Sequence, residues 1–576
     1  MKYSLKKSTA LLGAALLAVV GAAWTSLAED AQDLEQDLFV ESLDVNVVNV
    51  EVYVTDRDGN RINGLTKDDF VLLVDKQPVA ITNFYSVEDG SVRAGLETAQ
   101  TLEVPERAEI PEPARVTAEP VGPADQRLHL IVYVDNFNLR PFSRNRVIRA
   151  ARGFLRSHLR PGDEVMLVSY DRSLKIRHPF TKDPALIANA LYELEDLSGH
   201  RVHFDSDRDD ILDMIYEDSD NMGWDVYSLR PRVSQYAESV YNDMAFTMKA
   251  LREQVEMLAG LPGRKAVLYV SDGLSMRPGE DIFYALQDKF SDTSVLLESH
   301  RFDLSRDFQS LVSSANTNRV TFYTVDAAGL RTYSYMDASN HTAGGGSQID
   351  SIHFSNLQSP LHFMAEETGG FAVINTNNFS PGLEKMAQDF GTYYSLGFSP
   401  APGKVGRYHR IKVQLKDKKK GIRLRYRDGY RNKPVDTRMA DSAMAALNFG
   451  YQQNGLGVQL VAGSGERHED SGQFLVPFLV RIPIGGLTFL PQKEMQRGRV
   501  KLYIAAKDTD GGVAQVQEVQ VPIDIPTADF DRAKEQFYHY QLSLLMRQGR
   551  QVVAVGVRDE IGAVTGVVTE GLLVGS

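Results

Sequence analysis

The chain has no cysteine in 576 residues. That excludes disulfides, thiol nucleophiles, cysteine-ligated metals and a lipid-modified N-terminal cysteine, so stability must come from buried apolar cores. Positive charge is in deficit: 63 Lys and Arg against 76 Asp and Glu leave a net charge of −13. Such a surface repels phosphate backbones and argues against nucleic acid as the main partner. Beyond the N-terminus no apolar run is long enough to span a bilayer. Short catalytic signatures are also missing: no Gly-x-Ser-x-Gly elbow, no His-Glu-x-x-His, no P-loop and no Gly-x-Gly-x-x-Gly.

What is present begins with Lys2, Lys6 and Lys7, then an apolar run from Ala10 to Trp24, then Ser26, Leu27 and Ala28 before Glu29. This is the pattern of a secretory signal peptide over 1–28, cut after Ala28. An uncleaved anchor fits less well, because the run is short for a span. The expected location is therefore periplasmic or extracellular, with no transmembrane span after cleavage. The 43% of hydrophobic residues is enough to fill sizeable cores.

After a spacer (29–43), residues 44–90 open with Val48, Val50, Val52 and Val54 alternating with polar neighbours and turning at Asp58-Gly59. That is a half-buried strand entering a hairpin. Thr66, with Asp69 three residues on, marks the cap of a one-turn helix, and two short strands follow. So short a piece cannot close a core alone. Residues 91–125 are rich in Pro, Glu and Ala without an apolar period, and read as an extended linker. Over 126–391 strands and helices alternate, which predicts an α/β fold: a mostly parallel sheet with helices on both faces. Within it, the glycine-rich TAGGGSQID (342–350) reads as a loop. Residues 392–430 read as antiparallel strands that complete one β-sandwich with 44–90, the α/β domain being inserted between them. Residues 436–576 predict a short helix and a second β-sandwich.

LHLIVYVDNFNL (128–139) and GRKAVLYVSDGLS (263–275) resemble the first strand and the later Asp-Gly strand of a von Willebrand factor type A domain. VNVEVYVTDRDG, GLTKDDFVLLVD, RPGDEVMLVSYD, PFTKD, LPGRKAVLYVSDG and YYSLGFSP with RYRDGY make 40–430 resemble the VWFA-related family of Acidobacteria. The resemblance implies a Rossmann-like fold with a metal-dependent adhesion site on top of the sheet. There an Asp-x-Ser-x-Ser loop, a threonine and a second aspartate bind Mg²⁺, and a partner carboxylate completes the octahedron. Asp135 matches the first aspartate and Asp272 the second. The serine positions hold Phe137 and Leu139, and no threonine lies between Thr181 and Thr247. Asn138 and Ser206 are the remaining oxygen donors nearby.

Two readings stay open. One is a degenerate, water-rich site that holds Mg²⁺ (or Ca²⁺) weakly through Asp135, Asn138 and Asp272, with Ser206 as a further donor. The other is structural: Asp135 caps its loop and Asp272 accepts turn N–H bonds. The loss of both serines weighs toward the second, and no other cofactor is expected. In either case Asp135, Asn136, Asn138, Asp272 and Ser275 are expected to line a surface that binds a protein or peptide. In HFDSDRDDILDM (203–214), Asp205, Asp207 and Asp209 match calcium-loop offsets. Asp210 replaces the required glycine and Tyr216 the bidentate glutamate, so a solvated acidic loop is expected. His200 and His203, close in sequence, read as surface residues. The chain thus reads as an exported, non-catalytic interaction or adhesion-type protein. The alternative is an envelope scaffold whose type A domain is a spacer between binding sandwiches.

Overall fold

The computed structural model describes residues 47–94, 127–160, 162–197, 199, 201–218, 223–333, 346–400, 406–417, 421–469, 471–508 and 511–575. The stretch expected as a leader, the spacer, most of the expected linker 91–125, His200 and the glycine-rich stretch before Gly346 lie outside the described residues; the first four linker residues, Ser91–Ala94, instead form a strand. The chain divides into two compact units, one from the described residues of Asn46–Pro434 and one from those of Val435–Ser576.

The first unit starts with β1 (Val48–Thr55), β2 (Phe70–Val74), β3 (Gln77–Val79), β4 (Asn83–Glu88) and β5 (Ser91–Ala94). An α/β region follows: β6 (Leu128–Asp135), α1 (Pro141–His158), β7 (Glu164–Tyr170), β8 (Leu174–Thr181), α2 (Pro184–Glu193), α3 (Arg201–Asp213) and α4 (Val226–Met257). It continues with β9 (Arg264–Ser271), α5 (Glu280–Phe290), α6 (Ser294–Ser299), α7 (Ser305–Thr317), β10 (Val320–Asp326), α8 (Gly346–Glu367), β11 (Ala372–Val373) and α9 (Ser380–Gly391). The unit closes with β12 (Tyr393–Phe398), β13 (Tyr408–Leu415), β14 (Arg423–Arg425) and β15 (Gly429–Arg431).

The opening and closing strands interleave into two sheets, ordered β14-β1-β12-β4-β5 and β15-β13-β2-β3. β1 pairs antiparallel with β12, Val50 opposite Leu396, and β2 with β13, Leu72 opposite Val413. Strand alternation sorts the faces. Val48, Val50, Val52 and Val54 pack with Leu72, Leu396 and Phe398 in the sandwich core, while Tyr53 packs with Tyr393 on the outer face.

The α/β sheet has the order β11-β10-β9-β6-β7-β8, and only the β7–β8 pairing is antiparallel. All eight residues of β6 and of β9 are buried, as expected of strands covered on both faces. Helices α1, α2 and α9 cover one face through Val147, Ile187 and Met386, which share a core with Leu130, Val132 and Leu268. On the other face Thr324 donates its hydroxyl to the Leu361 carbonyl of α8 at 2.9 Å.

Two loop expectations are corrected. The acidic stretch 203–214 lies almost wholly in α3, which ends at Asp213. Arg201, Arg208, Ile211 and Leu212 form its buried stripe at helical spacing, leaving Ser206, Asp207 and Asp210 exposed. The stripe mixes arginines with apolar residues, so hydropathy alone does not reveal it. Likewise Ser347–Asp350, read as loop, belongs to the first turn of α8.

In the second unit α10 (Val435–Phe449) precedes β16 (Gln459–Ala462), β17 (Glu466–Arg467), β18 (Phe474–Pro483), β19 (Leu490–Gln492), β20 (Met495–Asp508) and β21 (Gln517–Pro526). After the short α11 (Phe530–Ala533) come β22 (Phe537–Met546), β23 (Gly549–Asp559) and β24 (Thr565–Val574). One sheet is built on β18, joined by β16, β17 and β22; the other runs β19-β20-β23-β24, with β21 on β20. Val476, Phe478 and Val480 meet Val500, Leu502, Val553 and Val555 between them. Ala443 and Ala446 of α10 pack against Tyr503 and Ala554.

Candidate functional site

Three neighbouring parallel strands deliver an aspartate to one edge. β6 ends on Asp135, β10 ends on Asp326, and Asp272 follows the last residue of β9. Val134 lies opposite Val270, and Asp326 opposite Ser271. After β6 the chain moves first to β7 on one side and only later to β9 on the other. The edge between β6 and β9 is thus a topological switch point, where open α/β sheets form a crevice. Here the crevice is closed over, with a cavity of only about 20 Å³ left against Asn138 and Ser275.

Asp135 is 0% exposed. Its Oδ1 accepts the main-chain N–H of Asn138 at 3.2 Å, and its Oδ2 accepts Asn138 Nδ2 at 2.9 Å and the Tyr269 hydroxyl. It therefore caps the one-turn helix Asn136–Asn138. Asp272 is 2% exposed, and its Oδ2 accepts the Arg140 N–H at 2.8 Å. Its own N–H donates to the Asn138 carbonyl at 3.1 Å, which ties the two loops together. Arg331 grips both oxygens of Asp326 and donates to the Asp272 carbonyl at 2.7 Å. From α4, the buried Thr247 accepts Asn138 Nδ2 at 3.4 Å.

The five residues expected to form a contact surface come together, but under cover. Asn136, Asn138 and Ser275 are buried as well. Asn136 accepts from the buried Arg144, and Ser275 Oγ accepts Asn356 Nδ2 at 3.0 Å. The lid is α3: Phe204 packs on Phe137 with ring centroids 5.6 Å apart, and Asp205 receives Arg140 at 2.6 and 2.9 Å. The expected open landing surface is thus corrected to a covered one. Ser206 lies on the exposed side of α3.

These residues do not fit Mg²⁺. Donors already occupy the Asp135 carboxylate, and the serine positions of the type A pattern are filled by the buried Phe137 and Leu139. Asn138 Oδ1 and Asp272 Oδ1 have no hydrogen-bond partner, and two oxygens are far from the octahedron Mg²⁺ demands or the roughly six to eight ligands of Ca²⁺. The Asp272 carboxylate is instead faced by the guanidinium groups of Arg140 and Arg201. Among the described residues no group of three or more His, Asp or Glu could hold a metal ion.

Burial pushes Asp135 and Asp272 up to about 6, only partly opposed by their hydrogen bonds and by Arg201. Because these folded values lie above the unfolded carboxylate value, the native state holds extra protons between about pH 4 and 6. Stability from these groups falls as pH rises through that window, by roughly 2–3 kcal/mol each, and is level above it. Asp272→Asn keeps an oxygen for the Arg140 N–H and places its amide where no donor competes. It is expected to gain about 2 kcal/mol over wild type at pH 8 in urea melts, with the difference shrinking toward pH 4. Equal stabilities at pH 8 contradict this.

Beside the closed crevice lies an open pocket of about 340 Å³, walled by Arg140, Asp205, Arg208, Asp209, Leu330, Arg331, His353 and Phe354, among others. Arg208 donates to Asp281 at 2.6 Å, and His353 Nδ1 lies 3.1 Å from the same carboxylate. Burial works against ionising Asp281, yet Arg208 and His353 hold it well below the usual carboxylate range. Burial, with Arg208 beside it, pushes His353 down to about 4.

Asp326, Thr247, Tyr269, Arg201 and Arg331 were not singled out by motif. Asp326 had a signal: TFYTVD repeats the apolar run ending in aspartate seen in VYVD and YVSD. Thr247 bounds the threonine-free interval. The arginines carry no local signature.

No family model matches the chain, and no curated protein does. Among solved structures, an aerotolerance-related membrane protein from Bacteroides fragilis is 10% identical, with 46% of this chain and 98% of that chain covered and a TM-score of 0.23. The manganese-loaded TRAP protein of Plasmodium vivax is 8% identical, with coverages of 53% and 95% and a TM-score of 0.21. Three N-terminal domains of the type V pili tip protein Mfa5 from Porphyromonas gingivalis are 9% identical, with coverages of 76% and 75% and a TM-score of 0.24. Likeness this distant decides nothing about this chain's ligands or partners.

Proposed function

We propose that the chain is an exported, non-catalytic interaction protein whose α/β region, type A-like in sequence, binds a protein or peptide without a metal. The contact is made at the open pocket beside the buried aspartates. One observation carries this reading: the pocket has walls already set by internal ion pairs. Arg140 is held by Asp205, Arg208 by Asp281 and Arg331 by Asp326, so binding orders few side chains. Leu330, at 62% exposure, and Asp209, exposed though it accepts from Arg208 at 3.3 Å, face outward where a partner would touch them. The aspartates at the strand ends shape the loops from beneath.

Two measurements test this. Thermal melts in EDTA and in excess Mg²⁺ are expected to coincide, since a ligand bound only by the native state raises the midpoint by mass action; a Mg²⁺-dependent rise restores the metal site. Partners crosslinked to the full-length protein in an envelope extract, then purified, are expected to bind Leu330→Asp and Asp209→Arg roughly tenfold or more weakly.

A second reading is an envelope scaffold, favoured by one feature. The second unit has a complete core of its own and exposes Leu573 on β24 and Phe537 on β22. If Leu573→Arg and Phe537→Asp release the partners while the pocket variants keep them, binding belongs to that unit.

A further inference from the structure

The seam between the sandwich and the opposite, N-terminal edge of the parallel sheet carries a surplus of buried positive charge. β1 turns Val50 and Val52 into the sandwich core, so Glu51 and Tyr53 point out of it. The cavity they help to wall also receives Arg264 and Lys265, the first residues of β9, and Arg319, just before β10. Carboxylates answer only part of the positive charge at this seam. Asp389 is bound by Arg61, Arg425 and the Tyr323 hydroxyl, Glu51 by Arg319 at 2.7 Å, and Asp163 faces Arg264 and Arg160.

Arg264, Lys265 and Arg427 are each more than nine-tenths buried, and among the described residues none has a carboxylate within 4.0 Å. They lean on carbonyls: Arg264 on Phe390 at 2.8 Å, Lys265 on Leu261 at 2.7 Å, Arg427 on Asn49 and Asn316 at 2.6 and 2.7 Å. Arg264 also stacks over the Tyr393 ring at 4.0 Å, but its Nε has no acceptor. Buried charges without a counter-charge are costly. Beside Arg264 and Lys265 a cavity of about 10 Å³ remains, also walled by Glu51, Tyr53, Arg319 and Tyr323. It admits about one water-sized particle.

We propose that this cavity binds one monatomic anion of the halide class, chloride in ordinary media, between Lys265 and Arg264. The hole is too small for a tetrahedral oxyanion, and a water would fill the space while leaving the charge surplus in place. The carboxylate in the wall, Glu51, already belongs to Arg319. Burial, with Arg319, Lys433 and Arg427 nearby and Glu51 only partly opposing them, pushes Lys265 down to about 7, so an anion bound beside it would hold its ammonium charged. This inference stands apart from the binding pocket at the other edge of the sheet.

The test melts the full-length protein at pH 7 and fixed ionic strength in sodium chloride, sodium bromide and sodium gluconate. Chloride and bromide are expected to raise the midpoint saturably, by about 2 °C at ten times the dissociation constant, and gluconate is not. Bromide is expected beside Lys265 Nζ in anomalous diffraction maps. Lys265→Met should abolish the halide-specific rise while keeping the packed stem. Glu51→Gln, which removes a repelling charge, should shift half-saturation to several-fold lower halide, and so gives a readout even if Lys265→Met does not fold. Identical melts in all three salts overturn the proposal, as does unchanged halide dependence in both variants or bromide absent from this cavity.

Discussion

Asp389→Asn is expected to cost the first unit about 3–5 kcal/mol in a denaturant melt, the usual loss when one partner of a buried ion pair is removed. Asp389 lies near the end of α9 with no solvent exposure. It accepts Arg425 through both oxygens at 2.8 and 2.9 Å, Arg61 beside it, and the Tyr323 hydroxyl at 3.0 Å. Arg61 lies just beyond β1 and Arg425 on β14, whereas Tyr323 is on β10. One carboxylate therefore joins the sandwich to the α/β region. Burial and the neighbouring Arg425 already push Arg61 down to about 10, so deleting the shared anion leaves two guanidinium groups crowded and unanswered. A loss below about 1 kcal/mol, the range of surface pairs, would show that the cluster is not a fastening point.

Asp281→Asn is expected to be about as costly, roughly 3–5 kcal/mol, and to reach the pocket. Asp281 on α5 holds Arg208 of α3 and His353 of α8, so it anchors the helix that covers Asp135. Protection of the α3 amides in hydrogen exchange should fall in the variant while that of β6 stays. The pH dependence has a definite sign. The Asp281 carboxyl is depressed, so its contribution is complete above the unfolded value near pH 4 and lost as pH falls below it. The gap between wild type and variant should be level from about pH 5 to 8 and close below pH 4. His353, buried and pushed down to about 4, acts in the same direction: the native state binds fewer protons than the unfolded chain up to about pH 6.5, so stability rises with pH there. A gap that widens toward acid pH would mean that Asp281 is not ionised in the native state.

The sequence showed some of this and hid the rest for identifiable reasons. β6 and β9 are legible because unbroken apolar runs ending in Asp135 and Ser271-Asp272 are local patterns. β1 is legible through its alternating valines. That Phe137 and Leu139 leave a metal set incomplete is also a local fact. Coverage is not local. Whether Asp135 meets solvent depends on Phe204, Arg140 and Asp205, which lie on other segments, and α3 was concealed because its buried stripe includes Arg201 and Arg208. The pairing of Val50 with Leu396 joins residues almost a whole domain apart. The sequence hints at it only because neither fragment can bury a core alone.

That pairing also sets how the chain responds to being pulled. β1 and β12 run antiparallel, with Val48 opposite Phe398 at one end of the ladder. Tension applied between residue 47 and residue 399 therefore parts the ladder rung by rung, like a zipper, and does not strain every bond together. Strands β6–β11 lie in the slack between those two points and feel no load until the zipper has run. The sandwich thus acts as a mechanical fuse that yields early and shelters the fold looped out from it.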